Sequence, residues 1–231
     1  MSKLLNVSSS PHVRCGVSTK NLMYDVAIAM LPATIWGVMQ FGIYSLIVVV
    51  ATVLSCVLSE YLFETLMHKP VTISDGSALV TGMILGLNMP PAIPLWMPIL
   101  GGVFAIIVVK QLYGGLGQNW MNPALAARCF MLISFAQAMT KFTDPVTDAV
   151  ASATPLAAIK AGDTYDLAAM FIGKIPGTIG EVSVIALLIG AAYLLVKKVI
   201  TIRIPAAYIL SFAVFAFIFG QHNINYVLAE V

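Results

Sequence analysis

The sequence predicts an all-α, polytopic membrane protein, and three observations carry that expectation. Of 231 residues, 60% are apolar and 10% are charged, where a soluble domain has roughly 45–50% and about 25%. Mean hydropathy is +0.95. The apolar residues gather into stretches separated by short polar turns, several of them near the ~17–25 residues that cross a bilayer. An ordinary soluble enzyme and a disordered chain are excluded. A net charge of only +2 leaves no basic field to attract nucleic acid. Cys15, Cys56 and Cys129 are far apart in the chain, without a CxxC pair or Cys/His cluster. An iron–sulfur or zinc site made by this chain alone is therefore not expected.

Residues 1–20 are polar and basic, with no apolar h-region, and read as a cytoplasmic tail rather than a signal peptide. Leu22–Met39 is the first span, entered through Ser18, Thr19, Asn21 and Asp25 as helix-start residues. Ile43–Ser59 is the second, extended by Tyr61–Leu66. The run from Gly76 to Val109 carries no charge, but Asn88-Met89-Pro90-Pro91-Ala92-Ile93-Pro94 cannot continue a helix. It divides into a short arm, Ser77–Met89, and a span, Leu95–Tyr113. After the Gly114-Gly115-Leu116-Gly117 turn comes Ala124–Met139, opened by Asn122-Pro123 with proline in the first turn. A polar stretch over about 140–180 follows, then spans at Glu181–Val196 and Ile204–Gly220. Tyr226–Val231 reads as the opening of a further span, so the chain is expected to be part of a longer protein.

Lys and Arg set the orientation. With the N-terminus inside and spans alternating, the inner segments hold Lys3, Arg14, Lys20, Lys69, Lys110, Lys197, Lys198 and Arg203, and the outer ones Lys141, Lys160 and Lys174. That bias requires the short arm to cross or nearly cross. Short helices broken by Gly or Pro often line a site inside transporter-like bundles, which makes Asp75 and Asn88, at the two ends of this arm, candidates for an ion path.

Three groups of residues carry candidate chemistry. The first is Ser152-Ala153-Thr154-Pro155 in the outer stretch. Thr154 before Pro155 and a short apolar run is an ordinary N-cap followed by proline at the first helical position. The same geometry suits a phosphate, because a helix N-terminus presents free N–H groups and positive dipole. The second is the set of ionisable residues in or near spans: Asp25, Glu60, Glu64, Asp75, Lys110, Arg128 and Glu181. Most lie near span ends, where snorkelling accounts for them. Glu60 and Glu64 share one helical side, which suits a structural pair or an interface. Arg128 lies about two turns into its span, too deep to snorkel, and requires a carboxylate or an anionic ligand. The third is the glycine turn. It lacks a following Lys-Ser/Thr and reads as a tight turn rather than a phosphate loop. Asn88 reads as a helix cap or a lining group, and Gly190-Ala191-Ala192 as small-residue helix packing.

Four stretches add a resemblance: Ser74-Asp75-Gly76-Ser77-Ala78-Leu79-Val80-Thr81-Gly82 running to Asn88-Met89-Pro90-Pro91; Tyr113-Gly114-Gly115-Leu116-Gly117-Gln118-Asn119 with Asn122-Pro123-Ala124; Ser152-Ala153-Thr154-Pro155-Leu156; and Gly180-Glu181 through Arg203-Ile204-Pro205. In that order they resemble the NqrB/RnfD family. Its RnfD branch belongs to the Rnf ion-translocating electron-transport complex. The more distant NqrB branch belongs to the sodium-pumping NADH:quinone oxidoreductase. The resemblance implies a bundle like that of urea channels, with two inverted five-helix repeats. Residues 21–140 would be the first repeat, 141–180 an external loop bearing flavin, and 181–231 the start of a second repeat whose last spans lie beyond this sequence. It implies FMN joined through a phosphoester to Thr154, with Ser152 where the family motif has glycine and with Ala153 retained. It also implies a noncovalent riboflavin within the bundle.

The expected function is therefore that of a membrane component, inactive alone, that relays electrons between ferredoxin and NAD, coupled to Na+ or H+ translocation across the bacterial inner membrane. The implied partners are a flavoprotein with its own covalent FMN, iron–sulfur proteins of the same complex, and membrane lipid. A component of the quinone-reducing pump, and a flavin-free solute channel of the same fold, are the alternatives.

Overall fold

The computed structural model describes residues 18–143, 150–151 and 167–219. These form a helical bundle. Helix α1 (Thr19–Phe41) turns at Gly42 into α2 (Ile43–Leu66). A short 3-10 turn, Ile73–Asp75, leads into α3 (Ser77–Leu87). The remaining helices are α4 (Trp96–Tyr113), α5 (Pro123–Ser134), α6 (Ala136–Met139), α7 (Leu167–Ile172), α8 (Val184–Val196) and α9 (Arg203–Phe219). Phe142–Thr143 and Val150–Ala151 pair as a two-residue antiparallel ladder. Helices α1, α2 and α4 are long and apolar enough to cross a membrane, and α3, α5, α8 and α9 are shorter apolar helices. The protein is thus a multi-pass membrane protein, as its composition predicts.

Caps fix the helix starts where the sequence suggests them. The Ser18 hydroxyl accepts from the Asn21 N–H, and the Asn122 side chain accepts from the N–H groups of Ala124 and Leu125 ahead of a first-turn proline. Two predicted spans begin or end differently. The span expected over Ala124–Met139 breaks at Phe135, whose backbone leaves the helical region (φ −133°, ψ 45°). Its ring packs edge-on against Trp96, with centroids 5.2 Å apart, so aromatic packing takes precedence over helix continuity. The span expected from Glu181 begins at Val184, because Ser183 is extended and its hydroxyl caps the Ala186 N–H. Glu181 consequently lies in the preceding loop.

Helix α2 packs along both α3 and α4, and α1 packs along α3 and α8. Small residues allow the close crossings. A Cβ on Gly82 would lie 2.6 Å from Val53 Cα, and one on Gly86 would lie 3.0 Å from Val49 Cα, so the Gly82–Gly86 stripe brings α3 backbone-close to α2. Gly190 of α8 meets the Ala29 carbonyl of α1 in the same way, as its small-residue run predicts. The fully buried side chains Val48, Leu85, Met89, Ile93, Met131 and Ile179 form the core around the end of α3.

That end is the unusual part of the fold. At ~1.5 Å per residue, the eleven residues of α3 reach only about 16 Å, roughly half the hydrocarbon thickness. Past Leu87 the chain is irregular yet buried at Met89, Pro90, Pro91 and Ile93. The loop before α8 comes up against it. The Gly180 N–H donates to the Leu87 carbonyl (2.8 Å) and the Ile179 N–H to the Met89 carbonyl (3.1 Å). Most of the polar stretch 141–180 lies outside the described residues. Its last part differs from a solvated loop, since Pro176, Gly177, Thr178 and Ile179 are buried.

The α2–α3 crossing yields a stability test. Gly82→Ala should lower the thermal midpoint of the detergent-purified protein, at a cost of about 1–3 kcal/mol for overpacking against backbone. Gly101→Ala, whose Cβ would meet only side chains and at 3.4 Å or more, should cost less. Equal midpoints for the two variants would contradict the close crossing.

Candidate functional site

Two polar clusters sit at opposite ends of α3, and they separate the two proposed ion-path residues. Asp75 belongs to the first cluster and Asn88 to the second, so the structure does not bring them together.

The first cluster surrounds the start of α3. Glu60 and Glu64, one turn apart on α2, are both buried, at 0% and 2% exposure. They do not snorkel. They turn inward toward α4, where Lys110 is also buried, at 2%. The Lys110 ammonium donates to Glu60 Oε1 (2.6 Å) and to the Ser77 hydroxyl oxygen (2.6 Å). The Ser77 hydroxyl and N–H both donate to Asp75 Oδ1, so Asp75 tethers the first turn of α3. The Gln111 amide donates to Glu60 Oε1 (2.7 Å) and Glu64 Oε1 (3.2 Å), and the N–H and hydroxyl of Thr72 donate to Glu64. Lys110 and Gln111 are chain neighbours, and both reach α2 because α4 widens into a π-helical segment over Phe104–Lys110 before tightening at Gln111–Tyr113. Such segments are frequent at functional sites.

The glycine turn borders this cluster. Gly114, Gly115 and Gly117 all have positive φ (116°, 96° and 86°), which is the tight turn the sequence predicts. Gly114 and Gly115, together with Glu64, Lys69, Asp75 and Gln111, line a cavity of about 440 Å³.

The second cluster lies where α3 ends. Arg128 Nη1 donates to Asn88 Oδ1 (2.6 Å), while Asn88 Nδ2 donates back to the Ile84 carbonyl (2.7 Å). Asn88 is therefore both the cap and the lining group that its position before the prolines allows. Glu181 is the carboxylate that Arg128 requires, at 3.9 Å from Nη2, and its other contact is the Thr178 hydroxyl (2.7 Å). The Arg128 and Glu181 side chains are 37% and 53% exposed, so the ion pair itself is weak and the hydrogen bond to Asn88 fixes the guanidinium. Beside them, an apolar cavity of about 360 Å³ opens between α1, α3 and α8, with Asn88, Thr178 and Glu181 as its polar end.

A third contact ties α8 to α1. The Tyr193 hydroxyl donates to Asp25 Oδ1 (2.9 Å), and Lys197 lies 3.7 Å from the same oxygen. Ser152, Ala153 and Thr154 lie outside the described residues. Among the described residues no group of three or more His, Cys, Asp or Glu side chains is arranged to hold a metal ion. Nothing local in the sequence marks Thr72, Gln111 or Thr178 as members of these clusters. Only Ser77, at a helix start, carries a local signal.

A family model described as the NQR2, RnfD, RnfE family matches residues 6–230. The chain belongs to this family. Its relatives include the D component of the Na(+)-translocating ferredoxin:NAD(+) oxidoreductase complex of Acetobacterium woodii, 46% identical over 97% of this chain and 73% of the relative. The D component of the proton-translocating ferredoxin:NAD(+) oxidoreductase complex of Clostridium ljungdahlii is 39% identical over 94% of this chain and 70% of the relative. The D component of the ion-translocating oxidoreductase complex of Halorhodospira halophila is 32% identical over 91% and 70%. The buried charges in this member of the family thus occur in a chain whose relatives are named for moving ions.

The second cluster can be dissected by double-mutant cycles read from denaturation midpoints in detergent. Arg128→Met and Asn88→Leu should couple by about 1.5–3 kcal/mol, as expected of a hydrogen bond to a charged group. Arg128→Met and Glu181→Gln should couple by less than about 1 kcal/mol. The reverse order would make the ion pair the dominant contact.

Proposed function

We propose that this chain is the RnfD-type membrane component of an ion-translocating ferredoxin:NAD+ oxidoreductase complex, inactive alone, and that it relays electrons in a step coupled to Na+ or H+ movement. The observation that carries this reading is the 46% identity, over nearly the whole chain, to the corresponding component of the sodium-translocating complex of Acetobacterium woodii. Charged groups held inside a helical bundle support it, because ionisable residues at membrane depth are costly and mark ion or proton pathways more often than they serve packing.

The proposed cofactor is FMN, esterified through its phosphate to the hydroxyl of Thr154, with Ser152 and Ala153 as its near neighbours. A noncovalent riboflavin in the bundle belongs to the same proposal. When bound, the isoalloxazine supplies the electron chemistry, and the protein contributes position and electrostatics. Arg128 is the proposed contact for a flavin oxygen. Its guanidinium is oriented by Asn88 and still 37% exposed, which leaves room for a further acceptor. The proposed orientation has the N-terminus inside and Thr154 outside the bacterial inner membrane, following the distribution of Lys and Arg. The proposed partners are a second flavoprotein carrying covalent FMN, and iron–sulfur proteins of the same complex.

Mass spectrometry of the peptide containing Thr154, from protein purified out of its native host, should find an FMN-sized addition. Thr154→Val should give a denatured band without flavin fluorescence and a complex that no longer reduces NAD+ from ferredoxin. A bare peptide in the wild-type protein would remove the flavin assignment and favour a solute channel.

The coupled ion is read separately, by uptake of radioactive sodium into vesicles during turnover. Sodium-independent turnover without uptake would leave protons as the coupled ion.

A further inference from the structure

We propose that the Lys110 ammonium is a tethered stand-in for the transported cation: a sodium-sized monovalent metal ion binds at Glu60 and Ser77 by displacing it. The proposal deepens the ion-translocation reading and rests on it. Its first basis is the donor set. The Lys110 nitrogen is held by a carboxylate oxygen and a hydroxyl oxygen, each at 2.6 Å. These are hard oxygen ligands of the kind that hard metal cations take, and they are presented to a single positive charge.

The second basis is an imbalance within Glu60. Its Oε1 accepts from both Lys110 and Gln111, whereas its Oε2 is buried with no hydrogen-bond partner among the described residues. A buried carboxylate oxygen without a donor is costly, and a lysine ammonium on a fixed stem reaches only one side of the group. A bare cation is not so limited and would engage both oxygens.

The third basis is charge. Two buried carboxylates, Glu60 and Glu64, and the half-buried Asp75 adjoin one buried ammonium. The other contacts of Glu64 are neutral donors from Gln111 and Thr72. Among the described residues the other nearby cation is Lys69, which is exposed and lies 3.5 Å from the Gln111 carbonyl. One more positive charge is therefore accommodated here without excess.

Exchange also has a route. Glu64 and Asp75 line the 440 Å³ cavity, and the Gln111 amide bridges Glu64 to Glu60 directly behind it. A cation entering through the cavity passes Gln111 to reach Glu60. The displaced ammonium finds Glu64 or Asp75 as its new counter-ion. One positive charge replaces another at Glu60, so the carboxylate is never left buried and unpaired, the state that makes broken buried pairs so costly.

The test is equilibrium binding of radioactive sodium to the purified intact complex at fixed pH, for wild type, Lys110→Met and Glu60→Gln. Removing the competitor should lower the half-saturating sodium concentration at least tenfold in Lys110→Met. Removing the ligand should raise it at least tenfold in Glu60→Gln. An ordinary structural ion pair would move both variants the same way or neither, and that result overturns the proposal. The double variant Glu60→Gln/Lys110→Met leaves the net charge of the cluster as it is in the wild type. It should assemble and bind no more tightly than Glu60→Gln, and tight binding by it would also overturn the proposal. If Lys110→Met does not assemble, Lys110→Gln is read in its place, with the same expectation. Ferredoxin-dependent NAD+ reduction is measured on the same wild-type preparation. Its absence would overturn the reading of the complex, whereas intact activity with unchanged sodium affinity in the Lys110 variant would overturn only the exchange.

Discussion

A helix that stops at Leu87, about 16 Å from its start, leaves carbonyl groups without helical partners inside a buried segment. In an apolar medium each unsatisfied backbone group costs several kcal/mol, so irregular chain at membrane depth survives only when other protein satisfies it. Here the satisfaction comes from far along the sequence. The amides of Ile179 and Gly180 donate to the carbonyls of Met89 and Leu87. The loop before α8 is consequently buried, α8 is set against α1, and Glu181 is delivered beside Arg128. The break, the buried loop and the second polar cluster are consequences of one another.

The two ends of α3 solve the problem of buried polarity differently. At its start, charge is met by charge: one ammonium, two buried carboxylates and neutral donors from Gln111 and Thr72, with the Ser77 hydroxyl accepting from Lys110 and donating to Asp75. At its end, a guanidinium is held chiefly by the carbonyl oxygen of an amide side chain, with a distant carboxylate. The first arrangement is tightly hydrogen-bonded, with Glu64, Asp75 and Gln111 bordering a cavity. The second leaves the Arg128 and Glu181 side chains partly exposed.

Much of this is legible in the sequence. Hydropathy locates the spans, Pro90-Pro91 locates the break, and the i,i+4 spacing puts Glu60 and Glu64 on one side of α2. The depth of Arg128 announces that it requires a partner. What sequence does not supply is anything depending on long-range pairing. Glu60 and Glu64 read as a structural pair or an interface near the end of a span, but nothing local says that Lys110, fifty residues on, faces them. The π-helical widening of α4 that brings both Lys110 and Gln111 to α2 has no local signature. The break at Phe135 reflects its contact with Trp96, and the burial of Thr178 and Ile179 reflects the pairing of Ile179 with Met89. Polar and Gly/Pro-rich composition makes that last segment look like solvated loop.

The pairing of the α3 break with the loop before α8 can be tested directly by amide hydrogen exchange on the intact complex in lipid. The account predicts that the Ile179 and Gly180 amides are protected to the same degree as those in the middle of α2. Exchange at the rate of an open loop at these two positions would contradict it, and with it the link from the broken helix to the site around Arg128.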